Sequence, residues 1–363
     1  MTRVVVALSG GVDSAVAAAL LVEQGYDVVG VMMRLWTAGE RPLENRCCSA
    51  EAVDDARRVA DLLDIPFYLI NYERQFQLQV VDYFLEEYSR GRTPNPCLAC
   101  NRFIKFDLLL RRALALDAQY LATGHYCRIE PGPRGFRLLR GVDLKKDQSY
   151  MLHVLGQDQL PHILFPLGEL TKDQVRSLAA ERGLPVAEKA ESQDLCFVPA
   201  GDYRAILRES RPQAMVPGTV EDTLGNQVGT HQGLPQYTVG QRHGLGLKSG
   251  GRSSASVGDI DPLYVVRLEP ERNVLVVGAV EELWHREVTV VNPTFVSGEM
   301  PAEDTRVTAK VRYRSPESPA TLRRVTGDRL AVLFDEAERA VTPGQAIVFY
   351  QGEEVLGGGI ISA

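Results

Sequence analysis

Cys97 and Cys100 sit in the run Thr93-Pro94-Asn95-Pro96-Cys97-Leu98-Ala99-Cys100-Asn101-Arg102, at a spacing used for redox chemistry, metal binding and nucleophilic thiols. The prolines stiffen the loop, and Asn101 is placed to cap the helix that follows. A thiol near a helix N-terminus, with Arg102 and Lys105 close by, is expected to have a lowered pKa and a larger thiolate population. Cys196, between Glu191-Ser192-Gln193-Asp194-Leu195 and Phe197-Val198-Pro199, is a third candidate, because distance along the chain does not prevent pairing in space. Structural zinc would need two further ligands, and the sequence holds no second Cys-x-x-Cys and no close histidine pair. The adjacent Cys47-Cys48 cannot easily aim both thiols at one target and reads as a loop or packing pair. Cys127 reads as a small buried side chain.

A second chemical signature lies at the start of the chain. Ser9-Gly10-Gly11-Val12-Asp13-Ser14 follows the apolar run Val4-Val5-Val6-Ala7-Leu8 and precedes Ala15-Val16-Ala17-Ala18-Ala19-Leu20-Leu21, the order strand, glycine loop, helix. Glycines allow a sharp turn and a close approach of backbone to an anion, and a helix N-terminus favours phosphate. The run is not a Walker A loop, whose lysine reaches the terminal phosphates, and no lysine lies between Met1 and Gly91. It resembles instead the SGGxDS loop of the ATP pyrophosphatases, which release pyrophosphate and pass AMP to a substrate oxygen.

The elements that must position these groups alternate along the first half. Strands are expected at Arg3–Leu8, Asp27–Met33, Pro66–Asn71 and Tyr120–Thr123, with helices from Asp13 to about Glu23 and at Ser49–Leu63, Gln75–Tyr88 and Asn101–Leu116. Such alternation argues for a parallel sheet with helices on both faces and ligands beyond the carboxyl ends of its strands, which places Ser9–Ser14, Met33, Gly124 and His125 at one rim. Pro131-Gly132-Pro133-Arg134-Gly135 reads as the turn of a hairpin, and Thr171-Lys172-Asp173-Gln174 as a capping box opening a helix over Lys172–Arg182. A helix is also expected near Asp202–Glu209. After about Ala205 glycines, prolines and short alternating runs take over, with a hairpin turn at Asp222–Gln227 and a small-residue stretch at Ser249–Ser256 read as a mobile loop. Period-two alternation over Val307–Arg314 puts Lys310, Arg312 and Arg314 on one strand face, and with Leu330–Phe334 and Ala346–Tyr350 this reads as a small antiparallel barrel. The expected architecture is α/β: a Rossmann-like parallel-sheet domain carrying the pyrophosphate loop over 1–205, a small β-rich middle domain over 206–277 and a C-terminal antiparallel β-barrel over 278–363.

At 363 residues and 45% hydrophobic, the chain can bury two or three cores. Six cysteines are too few for a disulfide framework; the start at Met1-Thr2-Arg3-Val4 leaves no room for a signal peptide, and no apolar run approaches a membrane span, so a cytoplasmic protein is expected. A net charge of -7 gives no support for nucleic-acid binding, yet basic residues cluster locally: Arg92, Arg102, Lys105, Arg111 and Arg112 against Asp107, and Arg134, Arg137, Arg140, Lys145 and Lys146 against Asp143.

Taken together, Ser9–Ser14, Gly30-Val31-Met32-Met33, Cys47-Cys48-Ser49, Thr93–Pro96, Cys100–Phe106, Ala122–Tyr126, Lys146–Tyr150, Tyr237–Arg242 and Thr342–Gln345 resemble the tRNA-specific 2-thiouridylases over nearly the whole chain. The resemblance implies ATP-dependent replacement of the C2 oxygen of a tRNA wobble uridine by sulfur, giving 2-thiouridine, AMP and pyrophosphate. It implies ATP with Mg2+ bound by Ala7, Leu8, Ser9, Gly10, Gly11, Val12, Asp13, Ser14, Met33 and Gly124. It makes Cys196 the persulfide carrier and Cys100 its partner thiol, releasing sulfide or resolving to a disulfide. Asn95, Pro96 and Cys97 map to the target base, and His125, Lys146, Asp147, Gln148, Arg312, Tyr313 and Gln345 to tRNA contacts. The target base must leave its stack to reach such a pocket. A sulfur donor such as a cysteine desulfurase or a sulfur-relay protein is implied, with no membrane, and the working state is taken as a monomer.

One departure stands out: many members have Asp where this chain has Cys97. Three cysteines, Cys97, Cys100 and Cys196, raise the alternative of a [4Fe–4S] cluster with one open iron holding hydrosulfide, and the residues leave persulfide and cluster chemistry both open. The Ser249–Ser256 stretch is a second departure. Rival readings are a tRNA cytidine thiolase or lysidine-forming ligase, against which Cys196 and the basic barrel strand argue, and a non-enzymatic nucleotide or metal sensor, which would release no pyrophosphate.

Overall fold

A computed structural model describes residues 1–36, 49–190, 195–198, 202–245, 247, 262–325 and 329–362. Cys47-Cys48 and the Ser249–Ser256 stretch lie outside the described residues. The strands are β1 Arg3–Ala7, β2 Asp27–Arg34, β3 Phe67–Asn71, β4 Tyr120–Ala122, β5 Cys127–Gly132, β6 Gly135–Arg140 and β7 Ile163–Leu164 in the first half. The second half adds β8 Gly218–Asp222, β9 Gln227–His231, β10 Tyr264–Glu269, β11 Val274–Gly278, β12 Trp284–Phe295, β13 Thr305–Lys310, β14 Ser318–Arg324, β15 Arg329–Arg339, β16 Ala346–Gln351 and β17 Glu354–Ile361.

Val4, Val5 and Val6 are all buried, as expected of a strand covered on both faces, and β1 lies inside a parallel sheet of order β3-β2-β1-β4-β7. On one face α1 (Val12–Glu23) packs closely because it is alanine-rich: Ala18 and Leu21 meet Val4, Val6 and Val28, while Ala15, Val16 and Ala17 meet Val175 and Ala179 of the helix Lys172–Glu181. Alanine keeps its helix propensity with little side chain, so it suits a helix pressed from two sides. The Lys172–Glu181 helix opens with the expected capping box: Gln174 N–H donates to Thr171 Oγ1 at 3.3 Å, and Thr171 N–H to Gln174 Oε1 at 2.7 Å.

Two further sheets follow. One is β10-β11-β8-β9 around Val220, Leu234, Val265, Leu275 and Val277. The other runs β12-β15-β14-β13-β16-β17 and closes through β12 on β17, an antiparallel barrel with Val288, Val307, Leu322, Val332, Ile347 and Phe349 inside. The expected α/β fold followed by a β-rich unit and a barrel is therefore the one observed. The 131–135 hairpin also forms, but it does more than turn: β6 pairs with β17 through Val355↔Leu138 and Glu354↔Leu139, extending the barrel's sheet into the first half of the chain. A single apolar cluster continues that join from Val5 and Leu121 through Cys127 and Leu138 to Val348, Tyr350 and Val355.

Two expectations fail locally. Lys310, Arg312 and Arg314 do not share a strand face, because β13 ends at Lys310; Ser315 Oγ accepts from Arg312 N–H and donates to Arg312 O, closing a turn over 312–315. Asn101 does not cap its helix. The helix starts five residues earlier at Pro96, whose fixed φ and missing N–H suit a first turn, and Asn95 Oδ1 accepts from Cys97 N–H at 3.1 Å. Asn101 is buried inside the helix and donates to Met151 O at 2.8 Å.

Candidate active site

The Ser9–Ser14 loop is knitted by its own residues. Ser9 N–H donates to Ser14 Oγ at 3.1 Å, the two hydroxyls lie 3.2 Å apart, and Ser14 Oγ donates to Gly11 O at 3.0 Å. Gly10 has φ +69°, and a Cβ there would stand 2.4 Å from Ala52 O, so both conformation and space demand glycine. A Cβ on Gly124 would lie 2.8 Å from Asp13 C and Ser14 N, which lets the end of β4 close against the loop. Gly11 is the N-cap of α1 and no side chain caps that end, so backbone donors at a positive helix terminus face the rim where phosphate is expected.

Asp13 brings in two residues that motif reading missed. Lys172 Nζ donates to Asp13 Oδ1 and Oδ2 at 2.7 and 2.8 Å, and Tyr126 Oη donates to Asp13 Oδ1 at 2.7 Å. Lys172 is 6% exposed and Tyr126 3%. A signal for Lys172 was available: a lysine in the first turn of a helix opposes the dipole, so its position there asks for a partner. The pair supplies a buried cation next to a loop that has no lysine of its own.

Cys97 and Cys100 sit in the first two turns of the 96–114 helix, which widens to π-helical pairing over Cys100–Leu109; such widening is frequent at functional sites. Cys97 is exposed, yet the protein packed around its Sγ pushes the thiol up while Lys105 pulls it down, and the packing wins. For Cys97 the expected lowering of the thiol pKa is thus reversed. Water still reaches the residue, so the shift bears on ionisation and not on access.

Cys100 is buried and Cys196 half-buried, and both belong to one apolar cluster with Phe76, Phe84, Ile104 and Phe197. Phe197, next to Cys196, meets Phe84 at 5.2 Å, Phe76 at 5.8 Å and Trp36 at 6.4 Å, each edge to face. Met33 packs on this cluster and on the cluster beneath the sheet, joining the nucleotide rim to the cysteines. Among the described residues no three His, Cys, Asp or Glu side chains are gathered as a metal site.

The candidate tRNA residues divide. His125 is packed between the rings of Phe106 and Phe165, with Nδ1 2.7 Å from Thr123 Oγ1 and Nε2 3.5 Å from Lys105 Nζ; burial first, then Lys105, holds it well below the ordinary histidine range and hence neutral. Asp147 accepts from Gly141 N–H, Ser149 N–H and Ser149 Oγ, and Gln148 Oε1 accepts from Tyr126 N–H, so this pair shapes the loop that presents Lys146. Tyr313 Oη donates to Asp147 O at 3.2 Å. Arg312, Tyr313 and Gln345 line a cavity of about 370 Å³ with Thr93, Thr238, Arg314 and Thr342, four residues that fall in the quoted motifs or the basic strand but were assigned no contact.

Fold and site define an ATP-consuming α/β enzyme of the pyrophosphatase type, with Cys100 and Cys196 gathered in one apolar cluster. Three family models match in series: a tRNA methyl transferase HUP domain over residues 2–200, a tRNA methyl transferase PRC-barrel domain over 204–279 and an aminomethyltransferase beta-barrel domain over 285–361. The relatives carry a different name. "tRNA-specific 2-thiouridylase MnmA" of Roseiflexus castenholzii is 49% identical over all of both chains, and that of Chloroflexus aurantiacus 50% over 100% of this chain and 99% of its own. The protein of the same name from Carboxydothermus hydrogenoformans is 50% identical over 99% and 97%. The chain belongs to the tRNA-specific 2-thiouridylase family.

Proposed function

We propose that this chain is a tRNA-uridine 2-sulfurtransferase in which two sites act in turn on one base. ATP lies on the Ser9–Ser14 loop between Met33 and Gly124, with Asp13 as the carboxylate available to its Mg2+ and Lys172 as the cation facing the pyrophosphate. The uridine C2 oxygen bonds to the α-phosphorus, pyrophosphate leaves with the bond pair of the bridging oxygen, and the N3 proton is lost to water. This makes C2 attackable, because AMP is a far better leaving group than oxide.

Cys196 carries the outer sulfur as a persulfide. Cys100 attacks the inner sulfur, the Cys100–Cys196 disulfide forms, and the hydrosulfide released adds to C2 and expels AMP; a dithiol reductant then restores both thiols. Asn95, Pro96 and Cys97 frame the extruded base, and Lys146, Arg312 and Tyr313 meet the tRNA. Cys97 stands at the base without the carboxylate of many relatives, and its upward-shifted thiol makes it a neutral lining group in place of an acid or base. The sulfur arrives from a cysteine desulfurase or relay protein, and the chain works as a cytoplasmic monomer.

The observation that carries this reading is that Cys100 and Cys196, 96 positions apart, pack in one apolar cluster that shares Met33 with the nucleotide rim. The test is incubation with ATP, a persulfide donor and unmodified tRNA, followed by nucleoside mass spectrometry. Formation of 2-thiouridine with one AMP per sulfur is expected aerobically and without iron. Thiolated cytidine or lysidine, or a strict requirement for reconstituted iron, overturns it.

A further inference from the structure

The turn Thr342-Pro343-Gly344-Gln345, which leads into β16 of the barrel, grips the chain just ahead of the cysteine helix. Thr93 N–H donates to Pro343 O at 2.8 Å, and Gln345 Nε2 donates to Thr93 O at 2.9 Å, so one peptide segment is held from both sides. Between these bonds Gly344 has φ +89°, and a Cβ there would lie 2.8 Å from Thr93 N and 2.9 Å from Arg92 Cβ. Arg312 braces the root of the turn, its Nη2 donating to Ala340 O and Thr342 Oγ1, both at 2.6 Å. On the third side Thr93 Oγ1 donates to Thr238 Oγ1 of the middle unit at 3.4 Å. Thr93 is thus the residue where all three units meet, two positions before Asn95, the cap of the helix that carries Cys97 and Cys100. Two residues span about 7 Å at most, so a shift at Thr93 has almost no slack in which to dissipate before the cap.

We propose that the 342–345 turn is a positioning clamp for the target-base loop, through which Gln345 acts on the reaction by holding Thr93. The cavity beside the clamp then gives bound tRNA a direct mechanical route to the cysteine helix. The catalytic consequence rests on the assignment of Asn95 to Cys97 to the target base; the clamp does not.

The experiment uses the full-length protein with Gln345→Glu, which keeps the shape but presents no donor to Thr93 O, and Gln345→Met, which removes donor and charge together. Alkylation of Cys97 by iodoacetamide is followed by peptide mass spectrometry without tRNA, and kcat and KM for tRNA are measured in parallel. The expected result is several-fold faster Cys97 labelling in both variants, with kcat lowered. Unchanged labelling with a raised KM overturns the proposal, because a tRNA contact would be felt only when tRNA is present. Faster labelling with unaltered kcat leaves the clamp standing and removes the target-base assignment. Gly344→Ala, which forces a Cβ against Thr93, should move the same readouts in the same direction.

Discussion

The turn of the Ser9–Ser14 loop is tied to itself by hydroxyl and backbone bonds that span no more than five positions, and only its Asp13 carboxylate reaches out, to Lys172 and Tyr126. The cysteine site is tied only through others: Cys100 and Cys196 share one cluster because Trp36, Phe76, Phe84 and Phe197, from three separate segments, pack into it. The first can form as soon as strand and helix form; the second exists only in the finished tertiary structure. Under the proposed roles, adenylation rests on a locally built loop braced by Lys172 and Tyr126, and sulfur transfer on global packing. Damage far from either site should separate the two activities.

The sharpest break in that contrast is Cys196→Ser: thiolation should fall below detection while tRNA-dependent pyrophosphate release from ATP continues. Loss of both together would mean that the sites are not sequential. Next in size, Lys172→Met removes the cation bonded to Asp13 and should slow pyrophosphate release about 100-fold, with Lys172→Arg recovering part of it, in a continuous pyrophosphate assay. An unaffected rate would leave Lys172 a structural partner of Asp13. Phe197→Ala should destabilise the fold by about 3–5 kcal/mol and cut the rate of Cys100–Cys196 disulfide formation, read by urea unfolding and by mass spectrometry after oxidation, while ATP affinity holds.

The smallest expected effect concerns pH. Burial, with help from Arg102, lowers His153 to about 4 against the opposing bond to Tyr150 O. A base whose folded pKa lies below its unfolded value gives stability that is intact above about 6.5 and lost as pH falls toward the folded value. At pH 5 this one residue should account for about 2 kcal/mol of lost stability. Urea titrations at pH 7 and 5 should show a loss smaller by that amount in His153→Gln; an equal loss would place the acid sensitivity elsewhere. His125 and His231, also lowered by burial, add in the same direction.

The contrast also explains what could be read from sequence. The loop was legible because its chemistry and its support lie within a few residues, and the parallel sheet because buried strands are apolar throughout. The cap of the cysteine helix was misplaced from Asn95 to Asn101 because both asparagines precede helix-forming residues, and Pro96 at the first position decided between them. Period two carried the basic strand past its end because Ser315, which closes the turn, looks like any other serine. The direction of the Cys97 shift was missed because positive neighbours are visible in a sequence and packing is not. The pairing of β6 with β17 could not be anticipated, since no pattern in Leu138 names Val355 as its neighbour.

That pairing has a consequence for how substrate is chosen. A barrel hung on a linker would let the protein flex around many RNA shapes. Here the placement of the barrel against the cysteine helix is set by a hydrogen-bonded register, with strands about 4.8 Å apart, and by a core shared across the join. Under the proposed roles the join makes a fixed-jaw caliper, expected to turn away by its dimensions an RNA whose uridine does not fall at the set opening.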